Sequence, residues 1–268
     1  MIRYPERIVC LTEETTETLY LLGEEDRIAG ISGFTVRPPR ARREKPKVSA
    51  FTSAKIDRIL ALEPDLVFGF SDIQADIAAE LVRAGVEVHV FNHRTVAGIL
   101  RMVAGVGAMI GCAGQAEALA DKLAAHVAAI EVQSARLTRR PRVYFEEWDE
   151  PMITGIGWVA ELVRSAGGDD LFPERARESL AKDRILEDPQ EVVRRRPDII
   201  LGSWCGKKFR PERVAARPGF DAIPAVAKGD LYEVKSSIIL QPGPAALTDG
   251  IDELHRIISA WSRRATSS

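Results

Sequence analysis

One segment of this chain occurs twice. Ile56-Asp57-Arg58-Ile59-Leu60-Ala61-Leu62-Glu63-Pro64-Asp65-Leu66-Val67-Phe68-Gly69 returns as Pro189-Gln190-Glu191-Val192-Val193-Arg194-Arg195-Arg196-Pro197-Asp198-Ile199-Ile200-Leu201-Gly202, and the Pro-Asp pair and the closing Gly keep one offset of 133 in a chain of 268 residues. In each copy apolar residues at helical spacing stop at Pro, and an apolar β-branched run follows that reads as a buried strand. A repeated helix–strand unit at half the chain length predicts two similar α/β halves. Strands alternating with helices predict parallel sheets, whose ligands sit beyond the carboxyl ends of the strands.

The rest of each half is laid around that unit. Residues 8–11 are strand-like, and 15–22 read as a helix stopped by Gly23. Their counterparts are a strand at 143–145 and a helix at 158–166 stopped by Gly167-Gly168. A helix at 76–84, closed by Gly85, leads to a strand at 87–91; in the second half 213–226 is broken by Pro218, Gly219 and Pro224 before a strand at 231–234. Between the halves 96–137 is helical, interrupted around 111–114, and an unbroken helix over 115–137 spans about 35 Å at ~1.5 Å per residue. The fold class expected is therefore α/β, with two Rossmann-like lobes, 1–95 and 139–268, each with a central parallel sheet, joined by a long rigid α-helix within 96–138.

Composition narrows the function. Lys plus Arg is 37 against 39 for Asp plus Glu, so no general charge draws the chain to nucleic acid or an anionic membrane. No run approaches the roughly 18–20 apolar residues of a membrane span. The opening Met1-Ile2-Arg3-Tyr4-Pro5-Glu6-Arg7 leads directly into the first strand and does not read as an export signal. Cytoplasm is the compartment expected from it, or periplasm if the chain is a trimmed mature form. Cys10, Cys112 and Cys205 are too widely spaced for a disulfide framework, which suits a reducing compartment.

The order of elements resembles a known family. Arg7-Ile8-Val9-Cys10-Leu11, Thr16-Glu17, Leu22-Gly23, the element 59–67, the long linking helix and Ala166-Gly167-Gly168 are similar to the class III substrate-binding proteins of ABC importers, which carry cobalamin, haem and iron-siderophores. Glu161-Leu162-Val163-Arg164-Ser165-Ala166-Gly167-Gly168 and the element 197–206 point to the cobalamin-binding branch. The resemblance covers nearly all the chain. It implies a non-catalytic protein that requires no cofactor and holds a small-molecule ligand, a corrinoid or related metal chelate, in a cleft between lobes. An ABC permease is the partner if the protein is exported. It also implies that Phe70 packs on the ligand, the alternative being ordinary core packing, and that Asp76 and Glu212 are carboxylates that dock on the permease, the alternative for both being a surface acid favoured by a helix N-terminus. The chain departs from the family in placing Glu13-Glu14 where a small polar loop is usual, which leaves room for a ligand other than cobalamin.

By the repeat, Glu13-Glu14 corresponds to Glu146-Glu147, and Glu146-Glu147-Trp148-Asp149-Glu150 places four carboxylates in five residues. Such clusters favour a cation or metal between them, or else are solvated loops. The loop after the second repeated strand carries Trp204, Cys205, Lys207 and Lys208, an aromatic face for a planar ligand beside a thiol whose pKa neighbouring lysines can lower; the alternative is a small buried cysteine. The expected ligand contacts are Glu13, Glu14, Thr15, Phe70, Ser71, His93, Glu147, Trp148, Trp158, Trp204, Cys205, Lys207 and Ser237, the last with Ser236 and Gln241 in a loop at the cleft edge. A bound metal ion, as an alternative, would use Cys205, Glu13 and Glu146, with Glu14 and Glu147 near. His89 and His93 lie about 13 Å apart on a strand and are no zinc pair.

Signatures of catalysis fail. Gly105 to Gly111 has one residue too many for a dinucleotide fingerprint, and 202–208 is one short of a phosphate loop and ends in Lys-Lys. No nucleophile elbow and no Cys-x-x-Cys pair is present. An enzyme using Cys205 as nucleophile or a glutamate as base ranks last. Arg37, Arg40, Arg42, Arg43, Lys45 and Lys47, with three prolines between, read as a solvated loop or a docking strip for an acidic partner, and as a poor helix.

Overall fold

The computed structural model describes residues 3–266. Residues 1–2 and 267–268, the ends of the expected lobes 1–95 and 139–268 and the start of the N-terminal reading, lie outside the described residues. The chain forms two compact units, one of Met1–His93 and Ala97–Leu123, the other of Arg94–Val96 and Ala124–Ser268.

In the first unit the chain runs through β1 (Ile8–Cys10), α1 (Glu13–Leu21), β2 (Ile28–Ser32), α2 (Ala41–Glu44), β3 (Lys47–Ser49), α3 (Ile56–Leu60), β4 (Leu66–Phe70), α4 (Ala75–Arg83), β5 (Val88–Phe91) and α5 (Val96–Ile110), and α6 (Ala113–Ser134) begins there. The sheet order is β3-β2-β1-β4-β5, and every pairing is parallel. β1 is central and wholly buried, and Val9, Leu11, Ile59, Val67 and Leu81 form the core around it. The chain steps outward from β1 to β2 and β3 on one side, then crosses to β4 and β5 on the other, so the strand order reverses between β1 and β4. α6 carries the chain from the first unit into the second, 22 residues and about 33 Å long; Gly111, at φ +84°, makes the expected break before it.

The second unit holds β6 (Arg142–Asp149), β7 (Met152–Thr154), α7 (Gly157–Ser165), β8 (Asp169–Asp170), α8 (Gln190–Arg195), β9 (Ile199–Gly202), α9 (Pro211–Ala215), α10 (Pro224–Lys228), β10 (Leu231–Glu233), α11 (Ser236–Ile239) and α12 (Ile251–Thr266). Its sheet runs β10-β9-β6-β7 with β8 also on β6, parallel except for the β6–β7 hairpin. The fold is thus two α/β units, each around a mostly parallel sheet, with a long helix running from one into the other.

The repeat has a common backbone device. Glu63 and Arg196, each just before the repeated Pro, are two of the non-glycine residues with positive φ, at +46° and +50°. Arg196 caps α8 in a left-handed turn, Glu63 takes its positive φ three residues past the end of α3, and at both positions the following Pro disfavours right-handed α geometry. The Asp that follows ties two strands at their starts: Asp65 accepts from the amides of Glu6 and Arg7 and donates its own amide to the Arg7 carbonyl, while Asp198 accepts from the Arg142 amide and donates to the Arg142 carbonyl. The Pro-Asp pair therefore fixes how β4 enters beside β1 and β9 beside β6.

Several expectations change. α1 starts at Glu13, so the acid pair stands in a helix's first turn rather than in a loop. Residues 146–149 continue β6, because the following Glu150-Pro151 turns the chain into a hairpin with β7. The basic stretch contains the short α2, and its arginines serve their own unit: Arg42 donates to the carbonyls of Gly33 and Thr35, Arg40 pairs with Glu25 and Arg37 with Glu17. Ser236 and Ser237 lie in α11, not in a loop.

At Gly202 a Cβ would lie 1.9 Å from Cδ2 of Phe209, a fully buried ring stacked edge-on to Trp204 at 5.0 Å. Gly202→Ala should cost about 1–3 kcal/mol by overpacking. Urea unfolding measures this, and a stability equal to wild type would show that the ring moves aside freely.

Candidate functional site

Parallel sheets offer their carboxyl edges to ligands, at the point where strand order reverses. On the first sheet that edge lies between Thr12-Glu13-Glu14 after β1 and Phe70-Ser71 after β4. A single side chain assembles it. Gln74, 1% exposed, donates from Nε2 to the carbonyls of Leu11 (3.2 Å) and Phe51 (3.1 Å) and accepts at Oε1 from the Phe70 amide (2.9 Å). One amide group thus holds together the end of β1, the end of β4 and the segment after β3. Sequence reading passed over it, since an isolated Gln ahead of a helix carries no pattern.

Ser71 has φ +61° and ψ −179°, a conformation that L side chains rarely adopt and that costs of order 1–3 kcal/mol. It is kept there by its amide, which donates to the Phe91 carbonyl at 2.7 Å, and by its hydroxyl, which accepts from the Ile73 amide at 3.4 Å. Phe70 is buried and meets His93 edge-on at 5.2 Å. Phe34 and Val36, just past β2, are exposed apolar side chains that sequence reading also passed over.

Glu13 and Glu14 are both buried. The Thr12 hydroxyl donates to Glu14 Oε1 at 2.5 Å, while Thr15 turns its hydroxyl back to the Thr12 carbonyl. Burial pushes the Glu14 carboxyl up to about 8 and moves Glu13 in the same direction. Oε2 of Glu13 is buried with no hydrogen-bond partner.

At the carboxyl edge of the second sheet the structure corrects the expected acid wall. Glu146, fully buried, is bound by both guanidinium nitrogens of Arg217 (2.5 and 2.9 Å), the Tyr144 hydroxyl (2.9 Å) and the Trp204 indole N–H (3.0 Å). Glu147 receives the buried Arg184, and Glu150 receives Arg213. Asp149 pairs with Lys207 and Arg213; although burial opposes it, these charges hold its carboxyl below the usual range. Carboxylates matched in this way create no demand for a cation. Among the described residues no three His, Cys, Asp or Glu side chains converge as a metal would require.

The aromatic candidates divide. Trp204 is 3% exposed and packs in the core with Phe209, and Trp158, equally buried, donates to the Ile239 carbonyl at 2.8 Å; neither presents a free face. Trp148 is only partly buried, and the Lys207 ammonium stands 4.1 Å from its ring centre, with Trp204 at 5.2 Å. Lys207 is thereby engaged with Asp149 and Trp148, while Cys205 is exposed. Ser237 sits in α11. Asp76 and Glu212 are exposed, each in the first turn of a helix, and Glu212 lies 3.8 Å from Arg210.

Among the described residues no helix is long and apolar enough to cross a membrane. The chain is 25% identical over 252 residues to a cobalamin-binding protein of Halobacterium salinarum, covering 90% of this chain but 66% of that relative's own length. Solved structures share its fold: a periplasmic vitamin B12-binding protein of Vibrio cholerae (TM-score 0.77, 19% identity, 98% of this chain and 100% of that one) and a periplasmic haem-binding protein of Roseiflexus (TM-score 0.80, 22% identity, 94% and 99%). With two α/β units built on parallel sheets, and with residues 8–238 matching the profile of the periplasmic binding proteins, the chain belongs to the periplasmic binding protein family.

Proposed function

We propose that this protein binds, without transforming it, a corrinoid or related metal chelate at the carboxyl edges of its sheets, and delivers it to an ABC permease. The observation that carries this reading is the likeness to a cobalamin-binding protein over 90% of the chain; the reversal of strand order beside the strained Ser71 supports it. On the first sheet the contacts are Glu13, Glu14, Thr15, Phe70, Ser71 and His93, and on the second Glu147, Trp148, Cys205, Lys207 and Ser237, with Trp158 and Trp204 supporting them from the core. The functional lobes are 1–95 and 139–268, with 96–138 linking them. Asp76 and Glu212 are the permease contacts, a role their exposure suits. The compartment we infer is the periplasm, in line with the names of the solved structures of like fold; fractionation of native cells tests it.

Titrating the full chain with cyanocobalamin, followed by tryptophan fluorescence and visible absorbance, tests the ligand. Saturable quenching with an unchanged corrinoid after long incubation is expected. Failure to bind either cyanocobalamin or haemin would overturn the reading, and slow conversion of a bound corrinoid would overturn its non-catalytic part.

A further inference from the structure

Glu13 and Glu14 open α1, a nine-residue helix, at the end of the central strand β1. A helix start is ordinarily a place for an anion, because its free N–H groups and its dipole are positive there. In this chain two of its own acids occupy that position, with Glu17 one turn further on. The neighbouring hydroxyls do not serve Glu13: Thr12 donates to Glu14, and Thr15, Thr16 and Thr18 donate to backbone carbonyls. Glu13 is 5% exposed, and its Oε2 lacks any hydrogen-bond partner. A buried carboxyl oxygen without a donor is a cost that native structures rarely carry unless another molecule supplies the donor. Burial also raises the Glu13 carboxyl above the usual range, so a cation or an N–H donor is the partner that would favour its ionised form.

Resting on the binding function proposed above, we infer that Glu13 is the ligand-selecting group of the first sheet: it takes a ligand that presents amide N–H or cationic groups to the end of β1, and turns away one that presents carboxylates there. The vitamin B12 and haem named for solved proteins of this fold differ in that respect. Corrinoids bear amide side chains around the ring, whereas haem bears two carboxylates. A haem carboxylate placed here would be repelled by ionised Glu13, at a helix start whose N–H groups the chain's own Glu13 and Glu14 already face. A corrinoid amide would supply the donor that Oε2 lacks.

Equilibrium titration of wild type, Glu13→Gln and Glu13→Lys with cyanocobalamin and with haemin, near neutral pH, tests this. Wild type should prefer cyanocobalamin. Glu13→Lys should weaken cyanocobalamin about tenfold or more, the scale of a lost hydrogen bond to a charged group, and should strengthen haemin. Glu13→Gln should fall between. The gain for haemin is a readout that misfolding cannot produce. If wild type binds cyanocobalamin and both variants keep the affinities of wild type for both probes, the selecting role is wrong and the binding function stands. If wild type prefers haemin, the selection is wrong in sign. If wild type binds neither probe, the binding function itself is wrong, and this inference falls with it.

Discussion

Arg217→Met should destabilise this protein by about 3–5 kcal/mol, the cost of removing one partner from a buried ion pair. Glu146 is fully buried, and Arg217, at 16% side-chain exposure, supplies two of the four hydrogen bonds that its carboxylate accepts. Without the guanidinium the carboxylate keeps only the Tyr144 hydroxyl and the Trp204 indole, two neutral donors in a place water does not reach. Adding Glu146→Gln to Arg217→Met removes the stranded charge and keeps an acceptor, so the double variant should be more stable than the single one. Urea unfolding of the four proteins in the cycle measures both effects. A loss below about 1 kcal/mol for Arg217→Met would put this pair with exposed ion pairs, whose worth is small. The change should also be visible in tryptophan fluorescence, because the Trp204 indole is bonded to the same carboxylate.

The same pair shows where sequence reading stops. The repeat was legible because its information is local: apolar spacing, then Pro, then Asp, then a β-branched run, all within fourteen residues that act on their own backbone. The left-handed turns at Glu63 and Arg196 and the strand-tying Asp65 and Asp198 are the structural content of that pattern. What Glu146 and Glu147 do is set by Arg217 and Arg184, 71 and 37 residues away, and no spacing rule couples them. Clustered acids along one strand therefore looked like a demand for a cation, when each had been matched from a distant segment. β2 and β3 were not read at all: Ile28–Ser32 is interrupted by Gly30, where a Cβ would lie 2.8 Å from Leu62, and β3 is three residues long. α12 was readable and went unread, since Ile251, Leu254, Ile258 and Trp261 recur at helical spacing and are all buried.

Glu14 carries the other large effect, and its sign is opposite to that of an ordinary paired acid. Its carboxyl is pushed up to about 8, first by burial; the hydrogen bond from Thr12 opposes this, and the Glu13 and Glu17 charges add to the rise. Below the ordinary glutamate value near 4.5 the group is protonated in folded and unfolded chains alike and costs nothing. As pH rises from there to about 8, the unfolded chain gives up a proton that the folded one retains, so stability falls with pH, and above about 8 the loss is complete. The gap between those two values corresponds to about 5 kcal/mol. Glu14→Gln keeps the shape and an acceptor for the Thr12 hydroxyl while removing the titration. It should match wild type near pH 4 and exceed it increasingly toward pH 9, approaching that figure, with the divergence centred between the two pKa values. Thermal or urea unfolding across this range reads the divergence directly. Parallel profiles would mean that Glu14 ionises in the folded protein as readily as in the unfolded chain, and that the start of α1 is wetter than its burial implies.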